Sequence, residues 1–97
     1  MSDAVVPFDA RASVAPDVLV SELAGESVLL NLKSECYFGL DPVGTRMWTT
    51  LIKAESIQLA FDELLAHYDV PADQLRSDLV ELIQKLTDQG LLEVRNA

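Results

Sequence analysis

Cysteine and histidine are almost absent from this sequence of 97 residues, which contains one of each. A single cysteine excludes an intramolecular disulfide. Together the two side chains cannot supply the four nitrogen or sulfur ligands of a structural zinc site. No motif connects Cys36 with His67, so the sequence does not indicate a catalytic cysteine activated by a histidine base. Because free cysteine is most often buried, we expect Cys36 to be a small core residue.

Long apolar runs are also missing. No segment approaches the roughly 18 apolar residues that a membrane helix needs, and the N-terminus lacks the basic start and apolar stretch of a secretion signal. We therefore expect a cytoplasmic protein with no membrane partner.

Basic residues are scarce, with 7 Lys and Arg against 16 Asp and Glu and a formal charge of −9. Affinity for nucleic acid comes largely from Lys and Arg, so this balance disfavours a nucleic-acid partner. The sequence has no glycine-rich phosphate loop and no internal repeat. No two acids stand out as a catalytic pair. We predict no catalytic residue, no metal site and no cofactor, and a small enzyme ranks last among the functions considered.

Hydrophobic residues make up 49% of the chain, which is enough for one compact domain. Residues 1–16 are weakly patterned and are predicted to form a flexible N-terminal arm. The domain itself is predicted to span residues 17–97.

Three strands are predicted at residues 17–23, 27–32 and 36–40, with a tight turn at Gly25. In the second strand Val28, Leu30 and Leu32 alternate on an apolar face. The opposite face carries Asn31 and is mostly polar. Short turns between consecutive strands predict an antiparallel meander.

Three helices are predicted to follow. The first begins after Asp41 as N-cap, with Pro42 at the first helical position, and ends near residue 53. The second runs from Ser56 to about residue 68. The third runs from residues 71–73 to 89, where Gly90 ends it, and residues 91–94 follow as a short extended tail. The predicted fold class is α+β and winged-helix-like, a three-stranded antiparallel meander followed by three helices.

The third helix has an unusually wide apolar arc. One stripe is Leu75, Leu79, Leu82 and Leu86, and beside it lies a second row of Arg76, Val80, Ile83 and Thr87. A peripheral helix needs only one packing face. Either both rows are buried or the second row receives a partner, and the helical pattern leaves both interpretations open. Asp78, Glu81 and Lys85 fit a solvated surface.

Four segments together resemble one family: VLLNL at 28–32, YFGLD at 37–41, GTRMW at 44–48 and DLVELIQKLTDQGLL at 78–92. In order and spacing they are similar to the PqqD-like proteins, the RiPP recognition elements of peptide-modifying pathways. The resemblance implies a non-catalytic protein that captures the leader segment of a ribosomally synthesised precursor peptide and presents it to modifying enzymes. YFGLD is more similar to the free-standing proteins of lasso-peptide pathways than to PqqD itself.

The resemblance also implies a binding site, in which the leader docks as an extra strand on the third strand in a groove walled by the third helix. Carried over to this sequence, the peptide-binding residues are Glu35, Cys36, Tyr37, Phe38, Arg76, Leu79, Val80 and Ile83. Independently of the family, an edge strand exposes unpaired backbone groups that an added peptide can satisfy.

A lasso pathway implies a leader protease and a macrocyclase as partners, whereas a quinone-cofactor pathway implies a radical-SAM iron–sulfur enzyme. An open strand could also pair with a second copy, so a homodimer remains open. The alternative function is a winged-helix DNA-binding regulator, which shares the topology but calls for a basic recognition helix.

Overall fold

The computed structural model describes residues 6–95, in which five strands and three helices form. In chain order these elements are β1 (Arg11–Val14), β2 (Val18–Leu23), β3 (Glu26–Asn31), β4 (Cys36–Leu40), α1 (Pro42–Lys53), α2 (Ile57–His67), α3 (Ala72–Asp88) and β5 (Leu92–Arg95). The predicted α+β fold, a meander of three strands followed by three helices, is confirmed.

The meander is an antiparallel sheet with the strand order β2-β3-β4. Its register places Leu29 opposite both Val20 and Phe38. The turn between β2 and β3 consists of Ala24 and Gly25, which have φ of 56° and 82°. Two successive positive φ angles are those of a type I′ hairpin turn, whose twist matches the flanking strands.

The two faces of the sheet are the reverse of what the polarity of β3 suggests. Ser27, Leu29 and Asn31 are buried, whereas Val28 and Leu32 are about half exposed. The polar residues can face inward because they are hydrogen-bonded: the Ser27 hydroxyl lies 2.8 Å from that of Thr45, and Asn31 binds backbone carbonyls beyond α3. The outer face of the sheet is consequently apolar and exposed.

The N-terminal segment belongs to the domain, which corrects the prediction of a flexible arm over residues 1–16. β1 pairs antiparallel with β5, and Phe8, Ala10 and Ala12 are buried. The Ile57 amide donates to the Ala10 carbonyl over 2.8 Å. Small alanines fill this space without giving a strong hydrophobic pattern, which explains why the segment looked unstructured. Residues 1–5 of the predicted arm lie outside the described residues.

The helix ends form as predicted. Asp41 Oδ1 accepts from the Gly44 amide over 2.7 Å, and Ser56 Oγ accepts from the Leu59 amide over 3.1 Å. Gly90 takes a φ of 71° just after α3, a conformation that glycine adopts without strain. Inside, Trp48 anchors α1 with only 4% of its surface exposed. Among residues 6–95 no helix is long and apolar enough to cross a membrane.

Candidate functional site

Strand β4 is an edge of the meander. It pairs with β3 on one side, and no strand of residues 6–95 pairs with it on the other. The backbone groups on that side are therefore unpaired within the sheet and can bind another extended chain. Of the predicted strand residues, Glu35, Cys36 and Tyr37 are exposed and Phe38 is half-buried.

Burial decreases steadily along the inner face of β4. Leu40 is 6% exposed, Phe38 is half-buried and Cys36 is exposed. The helices thus cover only the end of the strand that leads into α1. The prediction that Cys36 is a core residue is wrong for this reason: its strand face is apolar, but the packing stops before reaching it.

A groove of about 410 Å³ lies between this partly covered strand and α3. Apolar side chains from three elements line it: Phe38 and Leu40 from β4, Met47 from α1 and Leu82 from α3. Charged residues at the groove are Asp41, Asp78, Glu81 and Lys85. The groove therefore combines an apolar floor with a polar rim, the usual composition of a site that binds a peptide side chain.

The structure places the residues of the predicted helix wall away from the groove. Leu79 and Ile83 are 0% and 1% exposed, so they belong to the core and are not available to a bound peptide. Val80 is half-buried and lines a surface hollow formed by α3 alone. Residues two apart on a helix are separated by about 200°, so Val80 lies away from Leu82 and the β4 groove.

Arg76 lies on the same flank as Val80. Its guanidinium carbon sits 4.0 Å from the centre of the Phe8 ring, which places it against the N-terminal segment. Phe8 in turn packs edge-on against Phe61, with 5.9 Å between ring centres. Arg76 therefore has a structural contact where a peptide contact was predicted.

The residues of α3 that do face the groove were assigned by sequence reasoning to other roles. Leu82 was placed in the core stripe, and Asp78 and Lys85 on a solvated surface. Their spacing of four and three residues puts them on one flank of the helix. That spacing was visible in the sequence, but only the position of β4 shows which flank of the wide arc is open.

Gly39 leaves space at the exposed edge strand. A Cβ built there would meet no other atom within 4 Å, and its φ is not in the left-handed region. The fold of the chain itself thus gives no reason for glycine at this position. Glycine inside a strand often marks a place where another backbone or a ligand approaches closely.

A second, larger cleft of about 620 Å³ lies between α1, the end of α2 and the turn after β2. Arg46 and Lys53 line it together with Glu22 and Glu63, so its charges are mixed. Elsewhere Lys33, Lys85 and Arg95 form ion pairs with neighbouring acids. The described residues thus present no continuous basic surface of the kind a DNA-binding domain uses. In residues 6–95 no group of three or more His, Cys, Asp or Glu side chains could hold a metal ion.

Comparison with known proteins assigns the family. The family described as "Coenzyme PQQ synthesis protein D (PqqD)" matches residues 26–92, a region that includes β3, β4 and all three helices. A search of curated proteins gives no significant match.

Two solved structures are similar to this chain. One is described as "TbiB1 in Complex with the TbiA(beta) Leader Peptide"; it is 32% identical, covers 84% of this chain and 94% of its own, and superposes with a TM-score of 0.78. The other is "Lasso peptide synthetase B1 complexed with the leader peptide", which is 21% identical, covers 87% of this chain and 99% of its own, and has a TM-score of 0.77. The predicted resemblance is confirmed, and this chain belongs to the PqqD family.

Proposed function

We propose that this protein binds the leader segment of a ribosomally synthesised precursor peptide as an added strand on β4. The observation that carries the proposal is the free β4 edge beside the groove formed with α3. A leader in this position would lie between Phe38 and Leu82. The proposal is supported by the similarity to TbiB1, whose structure holds a leader peptide.

The physical basis of binding would be shared between backbone and side chains. Main-chain hydrogen bonds to β4 stabilise an extended peptide with little regard to its sequence. Side chains of a strand alternate between two faces, so every second residue of the leader would point toward the apolar floor at Met47 and Leu82. Selectivity would then come from one or two apolar anchors that fill this floor.

The protein would act by binding and presentation, without catalysing a reaction. Since the two similar structures both hold leader peptides, and one is named as a lasso peptide synthetase component, a lasso-peptide pathway is the pathway we favour. Its enzymes would be a leader protease and a macrocyclase. A PQQ-type pathway with a radical-SAM enzyme is the second choice, in line with the family description.

The proposal is tested by titrating the full-length protein into fluorescein-labelled TbiA(beta) leader peptide and following the anisotropy. A second set of probes is selected from a random peptide library on the immobilised protein. We expect saturable binding of at least one probe, which an unlabelled copy of that probe displaces. Failure of both the leader peptide and every selected peptide to bind saturably would contradict the proposal.

A variant locates the binding on the protein. Leu82→Ala shortens an apolar side chain that lines the groove. We expect this variant to weaken binding while the variant Val80→Ala, on the far flank of α3, leaves it unchanged. Equal affinities for the two variants and the wild type would place the peptide elsewhere.

A further inference from the structure

The rim of the β4–α3 groove is acidic. Three carboxylates, those of Asp41, Asp78 and Glu81, line the groove together with one ammonium group, that of Lys85. All four side chains belong to exposed residues. The groove thus carries a formal excess of negative charge on the same side as its apolar floor.

Local hydrogen bonds arrange these charges. Lys85 Nζ lies 3.4 Å from Glu81 Oε2, so the one ammonium is already paired with an acid of the same rim. The Gln74 amide donates to Asp78 Oδ1 over 3.0 Å, which orients that carboxylate without neutralising it. Asp41 Oδ1 accepts from the Gly44 amide and caps α1. An incoming chain therefore meets a negative potential beside Leu82.

We propose that the groove selects peptides in which a Lys or Arg stands next to the apolar anchor, and that it disfavours Asp or Glu there. The inference rests on the proposed function. It specifies which charge the bound peptide carries beside its apolar anchor. The residues that would set this preference are Asp78 and Glu81, because they flank Leu82 on the groove side of α3. Arg76, one of the predicted peptide-binding residues, lies instead on Phe8.

The size of the effect follows from exposure. An ion pair between solvent-exposed side chains changes an equilibrium by at most about fivefold, and salt screens it within about 10 Å at 0.1 M ionic strength. We therefore expect a preference of about two- to fivefold per charge at low salt. The apolar anchor would supply most of the affinity, and the rim would decide between peptides with similar anchors.

The test uses random-library peptides selected on the full-length protein. We expect Lys and Arg to be enriched over Asp and Glu beside the shared apolar position. For one selected peptide, replacing its basic residue by Glu is expected to weaken binding to the wild type by about fivefold or more at low salt. The double variant D78N/E81Q should lose most of that discrimination.

A matched double variant separates the rim from the charge of the whole protein. D62N/D88N also removes two negative charges, but from exposed residues of α2 and α3 that do not line the groove. It should keep the discrimination between the basic and the acidic peptide. A thermal melt of each variant shows that the fold is kept.

The outcomes separate this inference from the function on which it rests. Selected peptides that bind more weakly to Leu82→Ala but show no basic preference would overturn the inference alone, as would equal discrimination by D78N/E81Q and the wild type. If no library peptide is selected and the TbiA(beta) leader peptide also fails to bind, or if Leu82→Ala binds every selected peptide as tightly as the wild type, the proposed function itself is contradicted.

Discussion

The Asn31 side chain joins the turn after β3 to the end of α3 at Gly90. Its Nδ2 donates to the Gly90 carbonyl over 3.2 Å, and its Oδ1 accepts from the Lys33 amide over 2.9 Å. One amide side chain therefore connects the β3–β4 turn with the residues that follow α3. Gly90 must remain glycine, since a Cβ there would lie 2.9 Å from Asn31 Nδ2 and its φ is 71°.

We predict that Asn31→Ala lowers the free energy of unfolding by about 1–3 kcal/mol, because it leaves backbone groups at the turn and at the end of α3 without their partner. Urea unfolding followed by circular dichroism measures this loss. Gly90→Ala should be destabilising as well, by about 1–2 kcal/mol from the left-handed backbone alone. A stability equal to the wild type for both variants would contradict the bridging role.

Leu82 is predicted to be an anchor contact for the bound peptide. Leu82→Ala should weaken binding by about tenfold, the effect of removing part of a buried apolar contact worth about 1.4 kcal/mol. Val80→Ala is the matched control, since Val80 is also half-buried and packs on the core from the other flank of α3. Anisotropy titrations compare the two variants, and an equal loss for both would contradict the assignment of the groove.

Ile83 and Arg76 are predicted to affect stability and not binding. Ile83→Ala should cost about 2–5 kcal/mol because Ile83 is fully buried. Arg76→Ala should cost only about 0.5–1 kcal/mol, the usual size of an exposed cation–π contact. Chemical unfolding measures both losses. The peptide affinity of the folded fraction of each variant should stay within about twofold of the wild type. A large loss of affinity for Arg76→Ala would instead support the sequence-based prediction that Arg76 binds the peptide.

Ala24 is predicted to be a site where stability can be gained. Its φ of 56° is unfavourable for alanine, and type I′ turns prefer Asn followed by Gly. Ala24→Asn should therefore raise the melting temperature by a few degrees, about 0.5–1 kcal/mol in stability. Val28→Asn, at a half-exposed position on the outer sheet face, serves as a control for simply adding an amide, and it should give no such gain.

The sequence predicted those elements whose ends carry their own chemical signal. The Asp41–Pro42 start and the Gly90 end fixed α1 and α3 because capping groups act locally. Local signals could not decide which face of β3 is buried. Ser27 and Asn31 face inward only because Thr45 and the end of α3 supply hydrogen-bond partners far along the chain.

Of the predicted site residues, the structure leaves most of those on the strand exposed at a sheet edge and buries two of those on the helix. The family resemblance pointed to β4 and α3, and the exposed edge at Tyr37 agrees with that part. For α3, the wide apolar arc consisted of two neighbouring rows and did not show which side of the helix is open. Phe8 and β5 pack against one side of α3, and the other side opens toward Phe38. Both arrangements depend on tertiary contacts, so the periodicity of the sequence could not show which side is open.

The central claim is that a peptide adds to the open edge of β4, and amide hydrogen exchange tests it most directly. The experiment compares exchange of the full-length protein with and without a saturating probe peptide. We predict slower exchange for the amides of β4 that point away from β3, and no change along β2, the opposite edge of the same sheet. A peptide that binds saturably yet leaves the β4 amides unprotected, or protects β2 instead, would contradict the account.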